Sequence, residues 1–145
     1  MKTICALCLS GILFAAGAAV ADTPTTDDAI LAMGAYVPTD DMATSEAFYQ
    51  TLFNRPPVIA LEDFIAFDIE GGWFAIVSRA KYAPGSVPGT GSVPYLQSAD
   101  LEDLRTRIAR TGHSVPEIIN EPGIQLLKVV DPNGQLVEFF KLEGQ

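Results

Sequence analysis

The sequence predicts an α+β fold made of two copies of one βαβββ unit, and three observations carry that reading. Two aspartates suited to cap helices, Asp41 and Asp100, stand 59 residues apart, each opening a segment with helical apolar spacing. A strand-like segment precedes each helix and three follow it. Each copy closes on a glycine-containing hairpin turn, Gly71-Gly72 in the first and Pro132-Asn133-Gly134 in the second. Neither half can bury its sheet alone, so the two are expected to pack as one unit.

In chain order, "ILAMGAYV" (30–37) reads as a first strand. In "PTDDMATSEAFYQTLFNRPP", Asp40 or Asp41 caps the helix and the acidic pair suits its dipole. Met42, Tyr49 and Phe53 share a face, with Phe48 and Leu52 beside it, and Asn54 is placed to be a left-handed C-cap. "VIALED" is a short strand, and "FIAFDIE" alternates with Ile65, Phe67 and Ile69 on one side. "WFAIVSR" returns from the turn, with Trp73 at its start and Arg79 and Lys81 reading as solvated at its end. The Pro/Gly-rich "YAPGSVPGTGSVP" links the halves. "SVPYLQS" is the next strand, followed by a helix with Leu101, Leu104 and Ile108 inward and Gly112 at its end. "PEIIN" and the hairpin "IQLLKVVDPNGQLVEFFKL" complete the second copy.

The first residues stand apart from this pattern. "MKTICALCLSGILFAAGAAVA" has one charge, Lys2, then an apolar run, then the small-x-small triplet Ala19-Val20-Ala21. It reads as a secretory signal peptide over 1–21, too short and too Ala/Gly-rich at its end for a spanning anchor. A flexible leader over 22–29 and one domain over 30–142 follow, with modules over 30–82 and 92–142. The expected location is periplasmic or secreted, off the membrane once the leader is cleaved. Both cysteines, Cys5 and Cys8, fall in the leader, so the exported chain is expected to have no disulfide and no thiolate. The full chain has a formal charge of −9, and cleavage removes one lysine and no acid. Such a surface argues against nucleic acid and anionic lipid as partners.

"DDMATSEAFYQTLFNRPP", "ADLEDLRTRIARTG" and "DPNGQLVEFF" together resemble the vicinal oxygen chelate superfamily, which contains glyoxalases, bleomycin-resistance proteins, extradiol dioxygenases and fosfomycin-resistance enzymes. The resemblance covers 30–142. It implies two βαβββ modules whose mixed sheets curl around a cavity, glyoxalase/bleomycin-resistance-like, and it implies a homodimer. Metal-using members place one ligand on the first strand of each module and one on each last strand. Carried over by counting from the caps and turns, these positions are Gly34, Ile76, Val93 and Glu138. Gly, Ile and Val offer no side-chain donor, and a site of this kind needs three or four His or carboxylate ligands. The expectation is no metal and no cofactor. The single histidine, His113, lies just past the second helix and reads as an exposed loop residue.

Glu138 is then a lone carboxylate in an apolar strand. Alternation puts Leu136, Glu138 and Phe140 on one face. By the same parity Gly34 brings Tyr36, and Val93 brings Tyr95 and Gln97. The candidate ligand-binding residues are therefore Glu138, Tyr36, Tyr95, Gln97 and Phe140, aromatic walls with a carboxylate and an amide. Three roles stay open for Glu138: pairing within the sheet or with a lysine or arginine, anchoring a cationic or hydrogen-bond-donating ligand, or acting as a general base. No catalytic residue is assigned. "PGTGS" lacks the lysine and following helix of a phosphate loop, and no serine has a neighbouring histidine to activate it. Two functions compete: a metal-free small-molecule binder resembling bleomycin-resistance proteins, and a glyoxalase- or dioxygenase-like enzyme of unknown substrate.

Overall fold

The computed structural model describes residues 32–144; the expected signal peptide and the leader at 22–29 lie outside the described residues. The first module runs β1 (Gly34–Thr39), α1 (Met42–Phe53), β2 (Ile59–Ala60), β3 (Phe64–Ile69) and β4 (Gly72–Ser78), with a one-turn helix α2 (Arg79–Tyr82) at its end. The second runs β5 (Tyr95–Gln97), α3 (Leu101–Arg110), β6 (Ile118–Glu121), β7 (Ile124–Val130) and β8 (Leu136–Leu142). The two sheets share one topology, β1-β4-β3-β2 and β5-β8-β7-β6. In each, the first strand pairs in parallel with the last and the other pairs are antiparallel. The fold is α+β, a duplicated βαβββ unit, and the sheets do not close into a barrel. Among the described residues no helix is long and apolar enough to cross a membrane.

The capping residues behave as their chemistry requires. Asp41 has extended backbone, and its carboxylate accepts from the Thr44 amide at 3.0 Å and the Thr44 hydroxyl at 2.7 Å. These donors hold the Asp41 carboxyl below its usual range. Asn54 closes α1 at φ 52°, in the left-handed region. Asp100 repeats the device on α3, accepting from the amides of Glu102 and Asp103. Both helices turn their apolar stripe into one core. Phe48, Tyr49 and Leu52 of α1 and Leu101, Leu104 and Ile108 of α3 belong to a single buried cluster with Phe74 of β4 and Phe139 of β8. The helices therefore lie between the sheets, and each sheet keeps one face turned away from that core.

Three local features depart from the sequence reading. The first hairpin turns at Glu70-Gly71, with φ 48° and 85°, and Gly72 already belongs to β4. Two consecutive positive φ values make the two-residue turn that matches strand twist. Arg79 is not solvated. Its guanidinium grips the Asp40 carboxylate, donates to the carbonyls of Pro38 and Ser86 and to the Ser86 hydroxyl, and is 12 % exposed. It thereby ties the intermodule linker to β1. The segment before β5 is not strand, and Val93 lies exposed outside the sheet.

The modules are joined by a buried polar network under the β7–β8 turn. Asp131 is buried, 3 % exposed. One oxygen accepts from the amides of Asn133 and Gln135, both at 2.8 Å, and shapes the turn. The other accepts from the Tyr49 hydroxyl of α1 at 2.9 Å. Asn133 in turn donates to the Ser45 hydroxyl at 2.7 Å and accepts from Thr39 at 2.8 Å. Burial and the Asp131 charge push the Tyr49 hydroxyl well above its ordinary pKa of 10.0.

Tyr49→Phe should lower unfolding free energy by about 1–3 kcal/mol at neutral pH, because it leaves one oxygen of a buried carboxylate without its donor. A phenol whose folded-state pKa is raised contributes its full stability below the unfolded value and loses it as pH rises beyond that value. Urea unfolding of the parent protein should therefore weaken from about pH 10 upward. The same titration on Tyr49→Phe should show a smaller alkaline limb, the remainder coming from Lys81, whose ammonium Asp63 holds above its usual range, and an identical limb in the variant would remove Tyr49 as a source.

Candidate functional site

The outward face of the second sheet carries most of the candidate residues. In register, Tyr95 lies opposite Glu138 and Glu138 opposite Lys128. One step along, Gln97 lies opposite Phe140 and Phe140 opposite Leu126. Val137 and Phe139 point the other way, into the core. The Tyr95 and Phe140 rings stack with centroids 4.2 Å apart and planes 11° from parallel. Tyr95 remains 52 % exposed, so this pair offers a free aromatic surface. The Glu138 side chain is 18 % exposed, and its carboxylate stands 3.7 Å from the Lys128 ammonium. Lys128 is half exposed, so the pair is partly solvated and worth little by itself. The structure thus brings Glu138, Tyr95, Gln97 and Phe140 onto one face, and adds Lys128.

Tyr36 occupies the equivalent position on the other sheet. It pairs with Ala75, as Tyr95 pairs with Glu138. Its neighbours across the strands, Ala75 and Ala66, are buried small residues, which leaves a shallow floor flanked by exposed Tyr36 and Trp73. Within one chain this face and the Glu138 face both turn away from the shared core, so Tyr36 does not meet Glu138.

The same registers test the expected chelating positions. Because the first hairpin turns one residue earlier than the glycine pair suggested, Ile76 points into the core and Ala75 is the outward residue. Ala75 also lacks a donor. Gly34 is blocked by backbone: a Cβ there would approach the Trp73 carbonyl oxygen to 2.9 Å. No ligating side chain can be placed on it without moving β1 from β4. Val93 is outside the sheet. Among the described residues no three His, Cys, Asp or Glu side chains gather as a metal site. The residues present therefore do not fit the metal that the fold's chelating members use. His113 stacks edge-on against Phe48, centroids 5.0 Å apart, and its Nδ1 lies 3.1 Å from the Thr111 hydroxyl, remote from Glu138 in the fold.

Sequence reasoning found the parity of this face but missed Lys128. The signal was available: Lys128 and Glu138 sit at matched distances on either side of the β7–β8 turn. It also missed a second concavity, a cleft of about 610 Å³ where α1, the β3–β4 turn, β5 and α3 meet. Its lining comes from residues remote in sequence, which no local motif announces.

With that geometry in hand, solved structures supply the comparison. A glyoxalase/bleomycin resistance protein from Catenulispora acidiphila matches with a TM-score of 0.63 at 22% identity, covering 78% of this chain and 99% of that one. A lactoylglutathione lyase from Agrobacterium tumefaciens matches with a TM-score of 0.59 at 21% identity, over 75% of this chain and 91% of that one. A glyoxalase/bleomycin resistance protein/dioxygenase from Alicyclobacillus acidocaldarius gives 0.58 at 16%, over 77% and 91%. No protein-family model and no curated protein matches the chain. The fold is that of the glyoxalase, bleomycin-resistance and dioxygenase structures, the vicinal oxygen chelate fold. Fold of this kind hosts unrelated chemistries, so the site has to argue function.

Adding Zn²⁺, Ni²⁺ or Mn²⁺ at about 100 µM to the purified protein should leave its melting temperature unchanged within about 1 °C. A rise of several degrees, abolished by Glu138→Gln, would show that donors gather around that carboxylate after all.

Proposed function

We propose that the protein is an exported, metal-free binder of a small molecule, resembling bleomycin-resistance proteins in capturing a ligand without chemistry on it. The observation that carries the reading is the Tyr95–Phe140 stack beside Glu138 on an open sheet face. A stacked aromatic surface next to a carboxylate suits a planar ligand bearing a cation or hydrogen-bond donors. Lys128 is the competitor that such a ligand displaces from Glu138. Tyr36 and Gln97 complete the polar and aromatic contacts in this reading. The donor-free positions on the two sheets favour binding over metal-assisted catalysis.

The protein acts as a homodimer in this proposal. In one chain the two outward faces carry opposite halves of the expected lining, Tyr36 with Trp73 on one and Tyr95 with Glu138 on the other. A second copy laying its first sheet against the second sheet of its partner encloses a cavity from both. Export follows from the signal sequence read at 1–21, and places the binder in the periplasm or outside the cell.

Isothermal titration with benzamidinium, a minimal planar cation, tests the ligand reading. Glu138→Gln should weaken its binding about tenfold, roughly 1.4 kcal/mol, with little change in melting temperature. A large loss of stability with unchanged affinity would assign Glu138 to the sheet alone. Light scattering on the same sample should give twice the chain mass, and a monomer would leave the face open and remove the enclosed cavity.

A further inference from the structure

The second concavity lies at the junction of the modules on the helix side, separate from the outward faces. Its volume, about 610 Å³, is that of a small-molecule pocket. Its floor is hydrocarbon: Leu52 and Phe53 from α1, Ile69 from β3, Leu96 from β5 and Phe139 from β8. Its rim carries two arginines and three acids, and most of these are already committed. Arg107 donates to the Leu52 carbonyl at 3.2 Å and pairs with Asp103, which locks α3 to the end of α1. Asp100 is spent on the amides of α3.

Two opposite charges remain. The Arg55 guanidinium makes one bond among the described residues, to the Asp68 carbonyl at 2.7 Å, which fixes its position and leaves most of its fork of donors open. Glu70 has no hydrogen bond or ion pair among the described residues, and its backbone is held at φ 48° in the two-residue turn. The two line the same cleft and form no ion pair with each other. The Arg55 anchor, Asp68, is two residues before Glu70 on the same hairpin, so one rigid element sets the position of both charges.

We propose that this cleft binds a zwitterionic α-amino acid with an apolar side chain. The α-carboxylate takes the open edge of Arg55, where a planar fork matches two oxygens. The α-ammonium takes Glu70. The side chain covers Phe53, Ile69 and Leu96 and leaves water. The unequal fates of the rim charges select this class: a simple fatty acid leaves Glu70 unused beside its head, and a simple amine leaves Arg55 unused.

Titration calorimetry with L-phenylalanine tests the proposal, with hydrocinnamate, which lacks the ammonium, and phenethylammonium, which lacks the carboxylate, as companions. L-phenylalanine should bind saturably, and each companion should bind at least about tenfold more weakly. Arg55→Met and Glu70→Gln, both at exposed positions, should each raise the Kd for L-phenylalanine about tenfold. Chemical-shift changes on the parent protein should centre on Leu96, Leu104 and Ile69. No saturation up to about 10 mM, a companion binding as well as the amino acid, an unchanged Kd in either variant, or shifts centred on Tyr95 and Phe140 each overturns it. The parent-protein arms keep the test decisive if a variant fails to fold. The cleft does not share residues with the Glu138 face except Gln97 at its margin, so benzamidinium binding and L-phenylalanine binding succeed or fail separately.

Discussion

Everything in the fold depends on how a chain of two similar halves is kept from behaving as two. The hydrogen bond from Tyr49 to Asp131 does this. It runs from the helix of the first module to the last turn of the second, through the middle of the core. A buried carboxylate is costly unless its oxygens are occupied, and all three of its donors must be in place together. One comes from Tyr49, and two come from the turn that Asp131 itself shapes. The turn, the helix and their docking are therefore one cooperative unit. Hydrophobic burial supplies most of the stability, but apolar surfaces slide and a satisfied carboxylate does not. The network fixes the relative register of the halves, and so fixes where the outward faces and the helix-side cleft fall.

Much of this architecture was legible because it is local. Asp41, Asn54 and Asp100 announce helix ends through groups within three residues of themselves, and the duplication follows from their spacing. Alternation along β8 sorted Glu138 and Phe140 from Val137 and Phe139. The limits are equally physical. A glycine pair does not say which glycine takes the turn, and the choice of Glu70-Gly71 moved one expected position from the outward face to the core. Arg79 looked solvated because two of its partners, Pro38 and Asp40, are brought to it only by the parallel pairing of β1 with β4, and the third, Ser86, only by the way the linker turns back. The helical spacing around "AFY" and the turn chemistry of "DPNG" marked each segment well, yet nothing local showed that Tyr49 and Asp131 are bonded to each other.

The candidate site shows the same division. Which residues share a face could be read from parity within a strand. Which faces meet could not, because that depends on packing of whole modules. Tyr36 and Tyr95 are equivalent by duplication, and each is an exposed aromatic on its own face. Their partners differ: a buried alanine for one and a carboxylate for the other. The duplication has thus diverged in chemistry while keeping its geometry, one half a smooth aromatic surface and the other a charged one.

The connection between the modules has a consequence for how copies of this chain can associate. It is tacked down at two points near its middle. Arg79 holds Ser86, and Gly89 lies so close over Gly134 that a Cβ would approach that carbonyl to 2.9 Å. A tether fastened in this way is a poor hinge. Exchange of halves between two molecules, a common route by which duplicated folds pair, would first have to strip these contacts and the Tyr49–Asp131 bond with them. Assembly by apposition of intact chains keeps every one of them.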